Sequence, residues 1–397
     1  MDRELGRRDE ERPDDCLVRS ADISQCLAQL GDFVARYKPL ATRSEQGEHA
    51  EIYLEGLLSG IERKSVEPIA NAHGRHRRAL QHFVGAGKWC DADFRNEMRA
   101  HVAEEIGHKD GVFLLDGSGF EKSGPESCGV DRQWCGRLGK VENCQIGVFL
   151  GYSAPGGLAL VDAELYLPEA WTKDRARRAK THVPRDVEFK TSWQLADAML
   201  QRVAPSIPHA WIVGDDEFGR PKEFRDALAD RGERYLLEVP SNTLVRRPSD
   251  WPGRARKWRT VQKRKRSRPL DKWTRLTLRD GDKGPIEVFA FATRVETKRT
   301  GEAPRQETLL VMQTLGGSQT WYFLAPAGTP TNAKELVAVA ARRHDIEQIF
   351  QAAKGEVGLD HYEVRSWIGW HHHITLSMLA LWFLTLEKRR LGKKLLH

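Results

Sequence analysis

The chain has 397 residues, of which 40% are hydrophobic and 30% charged, and its formal net charge is +7. This length allows two or three domains with a sizeable core, and the composition excludes a disordered chain. Six irregularly spaced cysteines do not form the pattern of a disulfide scaffold or a zinc site, which predicts a reducing, cytoplasmic compartment.

The N-terminus is charged throughout and does not resemble a signal peptide, and the longest strongly apolar run is too short to span a bilayer. We therefore expect no membrane association. The positive charge is concentrated in one segment: residues 241–300 hold 18 Lys+Arg and 6 Asp+Glu, and all other residues hold 45 and 50. Such a segment indicates a polyanionic partner.

In chain order, residues 1–14 form a charged tail, and residues 15–108 show apolar residues at helical spacing throughout. The second segment is therefore predicted to be an all-α N-terminal region. Its basic cluster at His73–Arg78 fits a DNA contact and a solvated face equally well.

From residue 109 the pattern changes to short apolar runs separated by glycine-rich turns, followed by alternating helices and strands up to residue 240. This order predicts a mixed α/β sheet. Residues 241–330 predict a basic, β-rich insertion, and residues 331–397 predict two further helices that complete the core.

Three acidic residues are candidates for catalysis because of their positions. Asp116 is expected at or near the end of the first core strand, Asp215 directly after a later strand, and Glu347 on a helix after the insertion. Asp216 is the alternative to Asp215, which we prefer because it directly follows the apolar stretch. The alternative for the two aspartates is a turn or cap role.

The helix that contains Glu347 places Arg343 and Lys354 on the same narrow stripe, beside an apolar face. A surface salt bridge between Arg343 and Glu347 is the simpler explanation of this pattern. If the three acids meet, however, they form an open, all-oxygen site that suits Mg²⁺. Two ions there would support phosphodiester cleavage, and the two cations would hold DNA phosphates.

Several motifs in this chain are similar to those of DDE transposases of bacterial insertion sequences. The segment Arg343-x₃-Glu347-x₆-Lys354 matches the R-E-K part of their Y-R-E-K signature. LLDGSGFEKSG, ENCQIGVFLGY, DAELYLPEAW and RYLLEVPSNTLVR also resemble these proteins, in the same order. The resemblance runs from about Tyr53 to Leu386 and is closest to the insertion-sequence family numbered seven hundred and one.

This resemblance implies an RNase H-like core in which Asp116, Asp215 and Glu347 bind two Mg²⁺ ions, with Mn²⁺ able to substitute. It also implies a β-strand insertion between the second aspartate and the glutamate. The signature tyrosine would fall at Ala340 in this chain, which is a departure from the family pattern.

The implied function is transposition: cleavage at the terminal inverted repeats of an insertion sequence and strand transfer to target DNA, by a homodimer in the nucleoid. The alternative is a decayed or domesticated sequence-specific DNA-binding protein. Basic residues of the insertion are expected to contact the DNA backbone. They are Arg256, Lys257, Lys263, Arg264, Lys265 and Arg266.

Overall fold

The computed structural model describes residues 20–248, 250, 257–281, 284–299 and 302–394. Within these ranges the protein combines a group of N-terminal helices with one large mixed sheet and further helices that pack on it. This arrangement confirms the predicted mixed α/β fold class.

The described helices are numbered in chain order. They are α1 Ser20–Tyr37, α2 Ser44–Leu58, α3 Val66–Ala72, α4 Arg77–Ala86, α5 Asp91–Ile106, α6 Glu169–Lys173, α7 Arg175–Lys180, α8 Ser192–Val203, α9 Asp216–Gly219, α10 Lys222–Asp230, α11 Val261–Arg266, α12 Ala333–Ala341, α13 His344–Gly355 and α14 Trp367–Lys394. None of these helices is both long and apolar enough to cross a membrane.

The described strands all belong to one sheet. They are β1 Val112–Glu121, β2 Asp131–Cys135, β3 Lys140–Ala154, β4 Gly157–Leu165, β5 Trp211–Gly214, β6 Tyr235–Glu238, β7 Leu244–Arg246, β8 Arg259–Thr260, β9 Thr274–Gly281, β10 Gly284–Thr297, β11 Arg305–Thr314 and β12 Thr320–Pro326.

The core of the sheet has the strand order β4-β3-β1-β5-β6. Strand β3 is antiparallel to both β1 and β4, whereas β1, β5 and β6 run parallel to one another. Order and directions together are those of the RNase H-like core. The carboxyl ends of the three parallel strands therefore meet at one edge, where open α/β sheets usually form their sites.

The insertion strands continue this sheet instead of forming a separate one. Strand β12 pairs antiparallel with β6, and β11, β10 and β7 follow outward in turn. The three predicted insertion strands correspond to β10, β11 and β12. A small hydrophobic cluster of the insertion, which includes Val245, Phe291 and Leu324, lies apart from the main core.

The N-terminal helices share the main hydrophobic core with the sheet. Their docking depends on one fully buried carboxylate, Asp162 in β4. It lies 2.8 Å from a guanidinium nitrogen of Arg99 in α5 and 2.5 Å from one of Arg202 in α8. Since a buried charge is costly unless it is paired, Asp162 and its arginines form a specific joint between the helical layer and the sheet.

Two local expectations were wrong. Strand β1 does not end near Asp116 but continues to Glu121, because β3 pairs with it along its whole length. The helix expected after Pro330 is broken into α12 and α13, with Arg342 and Arg343 between them.

We expect Asp162→Ala to lower the free energy of unfolding by about 3 kcal/mol or more, because it leaves Arg99 and Arg202 without their shared buried partner. Chemical denaturation measures this change. Glu169→Ala, which removes an exposed pair with Lys173, is the control and should change stability by less than about 1 kcal/mol. Equal losses in the two variants would contradict the role assigned to Asp162.

Candidate active site

Asp116 and Asp215 lie where the parallel pairing of two neighbouring strands stops. Strand β1 pairs with β5 only as far as Leu115, which is aligned with Gly214. Asp116 is the next residue of β1, and Asp215 is the first residue after β5. The end of this pairing leaves the β5 side of β1 open from Asp116 onward, so that both carboxylates adjoin the same opening.

The side chains of Asp215 and Asp216 have different partners. Asp215 caps the short helix α9, where its carboxylate accepts a hydrogen bond of 3.0 Å from the backbone N–H of Glu217. Asp216 instead pairs with Arg220 at 2.6 Å on the surface of the same turn. Asp215 therefore remains available to the opening beside β1.

The carboxyl groups at this edge are crowded and poorly compensated. Burial, and then the charge of Asp215, raise the pKa of Asp116 to about 7. Burial also raises the pKa of Asp215, and the same cause raises those of Glu217 and Glu238. One place in the fold thus holds four acids whose charged forms are all disfavoured.

Arg343 is the cation that faces this group. Its charge opposes the rise in pKa of Asp116, Asp215 and Glu238. Its guanidinium lies 4.0 Å from a carboxylate oxygen of Glu238 and 4.0 Å from one of Glu347. Arg343 holds this position because it is the N-cap residue of α13, at the break after α12.

Glu347 is less closely associated with the aspartates than they are with each other. Its side chain is 55% exposed, and one carboxylate oxygen lies 2.8 Å from Nδ1 of His344. Arg343 lies between Glu347 and the partly buried acids, because its guanidinium is 4.0 Å from Glu347 and 4.0 Å from Glu238. Among the described residues, no group of three or more His, Cys, Asp or Glu side chains is arranged to hold a metal ion.

The chemistry of the two aspartates nevertheless fits a hard divalent cation. Their donors are carboxylate oxygens, the ligands that Mg²⁺ prefers. Burial is the main cause of their raised pKa values and Arg343 offsets it only in part, so a bound cation would favour their charged forms. Asp116 and Asp215 are therefore the residues that could hold such an ion, with Glu347 within reach of the same arginine.

Lys354 lies on α13 and faces the same end of β1. Its Nζ is 5.7 Å from the ring centroid of Phe120 and 5.6 Å from that of Phe350. Burial lowers the pKa of Lys354, and the charges of Asp360 and Asp116 oppose this effect. The predicted stripe on the helix thus places Arg343 beside the partly buried acids and Lys354 beside the last residues of β1.

The predicted basic residues of the insertion lie on and beside α11, apart from Arg256, which is outside the described residues. Lys257, Lys263 and Arg266 are exposed, and the last two line a groove with Trp258 and Arg259. Lys265 is turned towards the sheet, where its Nζ donates to Oγ1 of Thr320 at 2.9 Å. The run therefore contains solvent-exposed positions and one position that contacts the sheet.

Arg264 of the same run belongs to a cluster of like charges. Burial, followed by the charges of Arg247 and Arg259, lowers the pKa of Arg264. Within the described part of the chain, none of these three arginines lies within 4 Å of a carboxylate oxygen. Uncompensated guanidinium groups of this kind are suited to phosphate.

Sequence reasoning missed Glu217 and Glu238. Glu238 is the last residue of β6, so it repeats the pattern of an acid at the carboxyl end of a parallel strand. That pattern was visible in RYLLEVP and could have identified it. Glu217 carries no comparable signal, because its position depends on the turn that Asp215 caps.

The chain belongs to the family described as DDE superfamily endonuclease, whose profile matches residues 36–299. The matched segment includes Asp116 and Asp215 and ends before Glu347. The family assignment predicted from the motifs is confirmed.

A curated relative is described as a probable transposase for insertion sequence element IS701 from Microchaete diplosiphon. It is 21% identical over 237 residues, which are 58% of this chain and 58% of the relative. Among solved structures, a piggyBac transposase synaptic complex with hairpin DNA matches with a TM-score of 0.46 and 11% identity. That match covers 89% of this chain and 67% of the other.

We expect Asp116→Asn to stabilise the metal-free protein near neutral pH. Because the pKa of Asp116 is about 7 in the folded state and 3.8 in the reference state, the folded protein binds more protons between these values. Stability contributed by Asp116 therefore falls as pH rises through this window, by on the order of 2–4 kcal/mol. The asparagine avoids this loss.

Urea denaturation in EDTA at pH 4.5 and pH 8 measures the effect. The gain from Asp116→Asn should be larger at pH 8 and small at pH 4.5. Asp110→Asn, at a position with a 69% exposed side chain just before β1, is the control and should show little change. A destabilised Asp116→Asn variant at pH 8 would show that the carboxylate is compensated in the folded state.

Proposed function

We propose that this protein is a transposase that cuts DNA at the ends of an insertion sequence and joins them to target DNA, with Mg²⁺ as cofactor. The observation that carries the proposal is the pair Asp116 and Asp215 at the point where the parallel strands β1 and β5 cease to pair, within a DDE superfamily endonuclease. The relative described as a probable transposase supports the same reading.

In this proposal Asp116, Asp215 and Glu347 hold the metal ions. Divalent ions bound there would supply an activated water and stabilise the leaving oxygen of a phosphodiester. Mn²⁺ has the same preference for oxygen ligands and would substitute. Asp215 rather than Asp216 takes part, because Asp216 is engaged by Arg220.

Glu347 reaches the site by leaving His344 and turning towards the aspartates. Its exposed side chain and its position on the first turn of α13 leave it free to change rotamer. Arg343 lies between the two positions, 4.0 Å from Glu347. A bound cation would attract Glu347 and would replace Arg343 as the positive charge beside the acids. Arg343 would then bind a DNA phosphate together with Lys354.

DNA would extend from this edge over the basic insertion. Lys257, Lys263 and Arg266 are exposed on that surface, and Arg264 is close to two further arginines. The N-terminal helices would recognise the terminal inverted repeat, a role consistent with the exposed Arg75 just before α4 and the exposed Arg78 in its first turn. Because an element has two ends, the active complex would contain at least two copies of the chain.

Cleavage of a labelled duplex that carries the ends flanking the reading frame tests the proposal. We expect nicking with Mg²⁺ or Mn²⁺ and none with EDTA. Asp116→Asn, Asp215→Asn and Glu347→Gln should each reduce the rate by more than about 100-fold, since even the outer partners of a metal site are worth about 10- to 100-fold. All three should still bind the duplex.

Glu238→Gln is the matched control for Glu347→Gln, because both glutamates lie 4.0 Å from Arg343. A larger loss from Glu238→Gln than from Glu347→Gln would move the third ligand to β6. If the wild-type protein binds the duplex but does not nick it, the enzyme function is refuted and a DNA-binding role remains.

We also expect the double variant Lys263→Gln with Arg266→Gln to reduce the salt dependence of duplex binding. Each lost phosphate contact lowers the slope of log K against log salt concentration by about 1, so the expected decrease is about 2. Fluorescence anisotropy over a salt series measures it. Lys173→Gln with Lys180→Gln, at exposed positions on α6 and α7, should leave the slope unchanged.

A further inference from the structure

A second group of cations lies beside the candidate active site and is contributed by three different elements. Lys122 directly follows β1, Arg137 lies in the turn between β2 and β3, and Lys354 lies on α13. All three face Asp360, which follows α13. Lys122 and Arg137 have no part in the function proposed above.

The contacts within this cluster are specific. Nη1 of Arg137 donates to Oδ2 of Asp360 at 3.0 Å. Nζ of Lys122 lies 3.6 Å from the ring centroid of the buried Tyr362, a cation–π contact. The hydroxyl of Tyr362 donates to Gln145 at 2.9 Å, which fixes the ring beneath the ammonium group.

Close packing brings the Arg137 turn to this position. A Cβ added at Gly119 in β1 would come within 2.6 Å of Sγ of Cys135, the last residue of β2. The turn can therefore lie directly against β1 only because residue 119 is glycine. This contact places Arg137 next to the helix that carries Lys354.

The cluster carries more positive charge than its surroundings balance. Three cations share Asp360, and the neighbouring Arg63 and Glu363 neutralise each other at 2.8 Å. Burial lowers the pKa of Lys122 to about 8, and Asp360 opposes this effect. Lys354 lies 5.7 Å from the ring centroid of Phe120 in β1, the strand that carries Asp116, so the cluster adjoins the candidate active site.

We propose that Lys122, Arg137 and Lys354 form a phosphate-binding site for the DNA strand next to the bond that is cut. The inference rests on the proposed function, because it is the aspartate edge that makes a DNA backbone the phosphate source. Asp360 occupies the site in the free protein, and Arg137 exchanges it for a phosphate when DNA binds. An arginine fork and two ammonium groups around one anion fit a phosphodiester.

Protection of lysines from acetylation tests this site in the full-length wild-type protein. The protein is treated briefly with an acetylating reagent at pH 8 and in Ca²⁺, with and without a saturating 30-base-pair duplex that carries the flanking ends. Peptide mass spectrometry then measures each lysine. We expect at least about threefold protection of Lys122 and Lys354, as well as of Lys263 in the insertion.

Lys173, with a 77% exposed side chain on α6, serves as the unprotected control. If Lys263 is protected but Lys122 and Lys354 react equally with and without DNA, the phosphate site is overturned while DNA binding stands. If no lysine is protected, DNA binding itself fails and the proposed function fails with it. Protection without cleavage would support the site independently of catalysis.

A double variant gives a second readout, the salt dependence of duplex binding. Lys122→Met with Arg137→Gln should lower the salt slope of duplex binding by about 2 and leave the thermal unfolding midpoint of the free protein little changed. Arg132→Gln, at an exposed position of β2, is the matched control and should retain the wild-type slope. Equal slopes for the double variant and the wild type would refute the proposal.

Discussion

The central constraint on this structure is the cost of placing several carboxylates at one edge of a sheet. Asp215 follows β5 and Glu238 ends β6, whereas Asp116 lies within β1 where its pairing with β5 stops. The described cation that faces all three is Arg343. Burial, which Arg343 offsets only in part, keeps their charged forms unfavourable. A cation bound at this edge would remove the penalty, because it favours the charged forms.

Much of the fold could be predicted from short apolar runs, since each buried strand appears as such a run with an acid or a glycine turn after it. The exact ends of the strands could not be predicted, because they depend on pairing with strands that are distant in sequence. Strand β1 passes Asp116 only because β3 pairs with it as far as Glu121. The break at Arg343 could not be read from helical periodicity, which continues across it, although it is this break that directs the guanidinium to the acids.

In the proposed function, the position of the insertion would couple DNA contact to the edge that holds Asp116 and Asp215. Glu238 in β6 is aligned with Phe323 in β12, so the insertion shares hydrogen bonds with the strand that ends at the site. At the start of β12, Oγ1 of Thr320 accepts a hydrogen bond from Nζ of Lys265 in α11. A phosphate held on α11 is therefore fixed relative to the aspartates by paired backbone and not by a flexible linker.

Ala340 illustrates how this chain departs from the signature of its relatives. It is buried, 7% exposed, near the end of α12, where it belongs to the hydrophobic core. A tyrosine there would have to displace neighbouring core side chains. In the proposed function, a phosphate contact at this position of the signature would therefore come from other residues. In the proposed phosphate site, Lys122 and Arg137 would provide such contacts, because both face Asp360 together with Lys354, which lies on the same helix as Glu347.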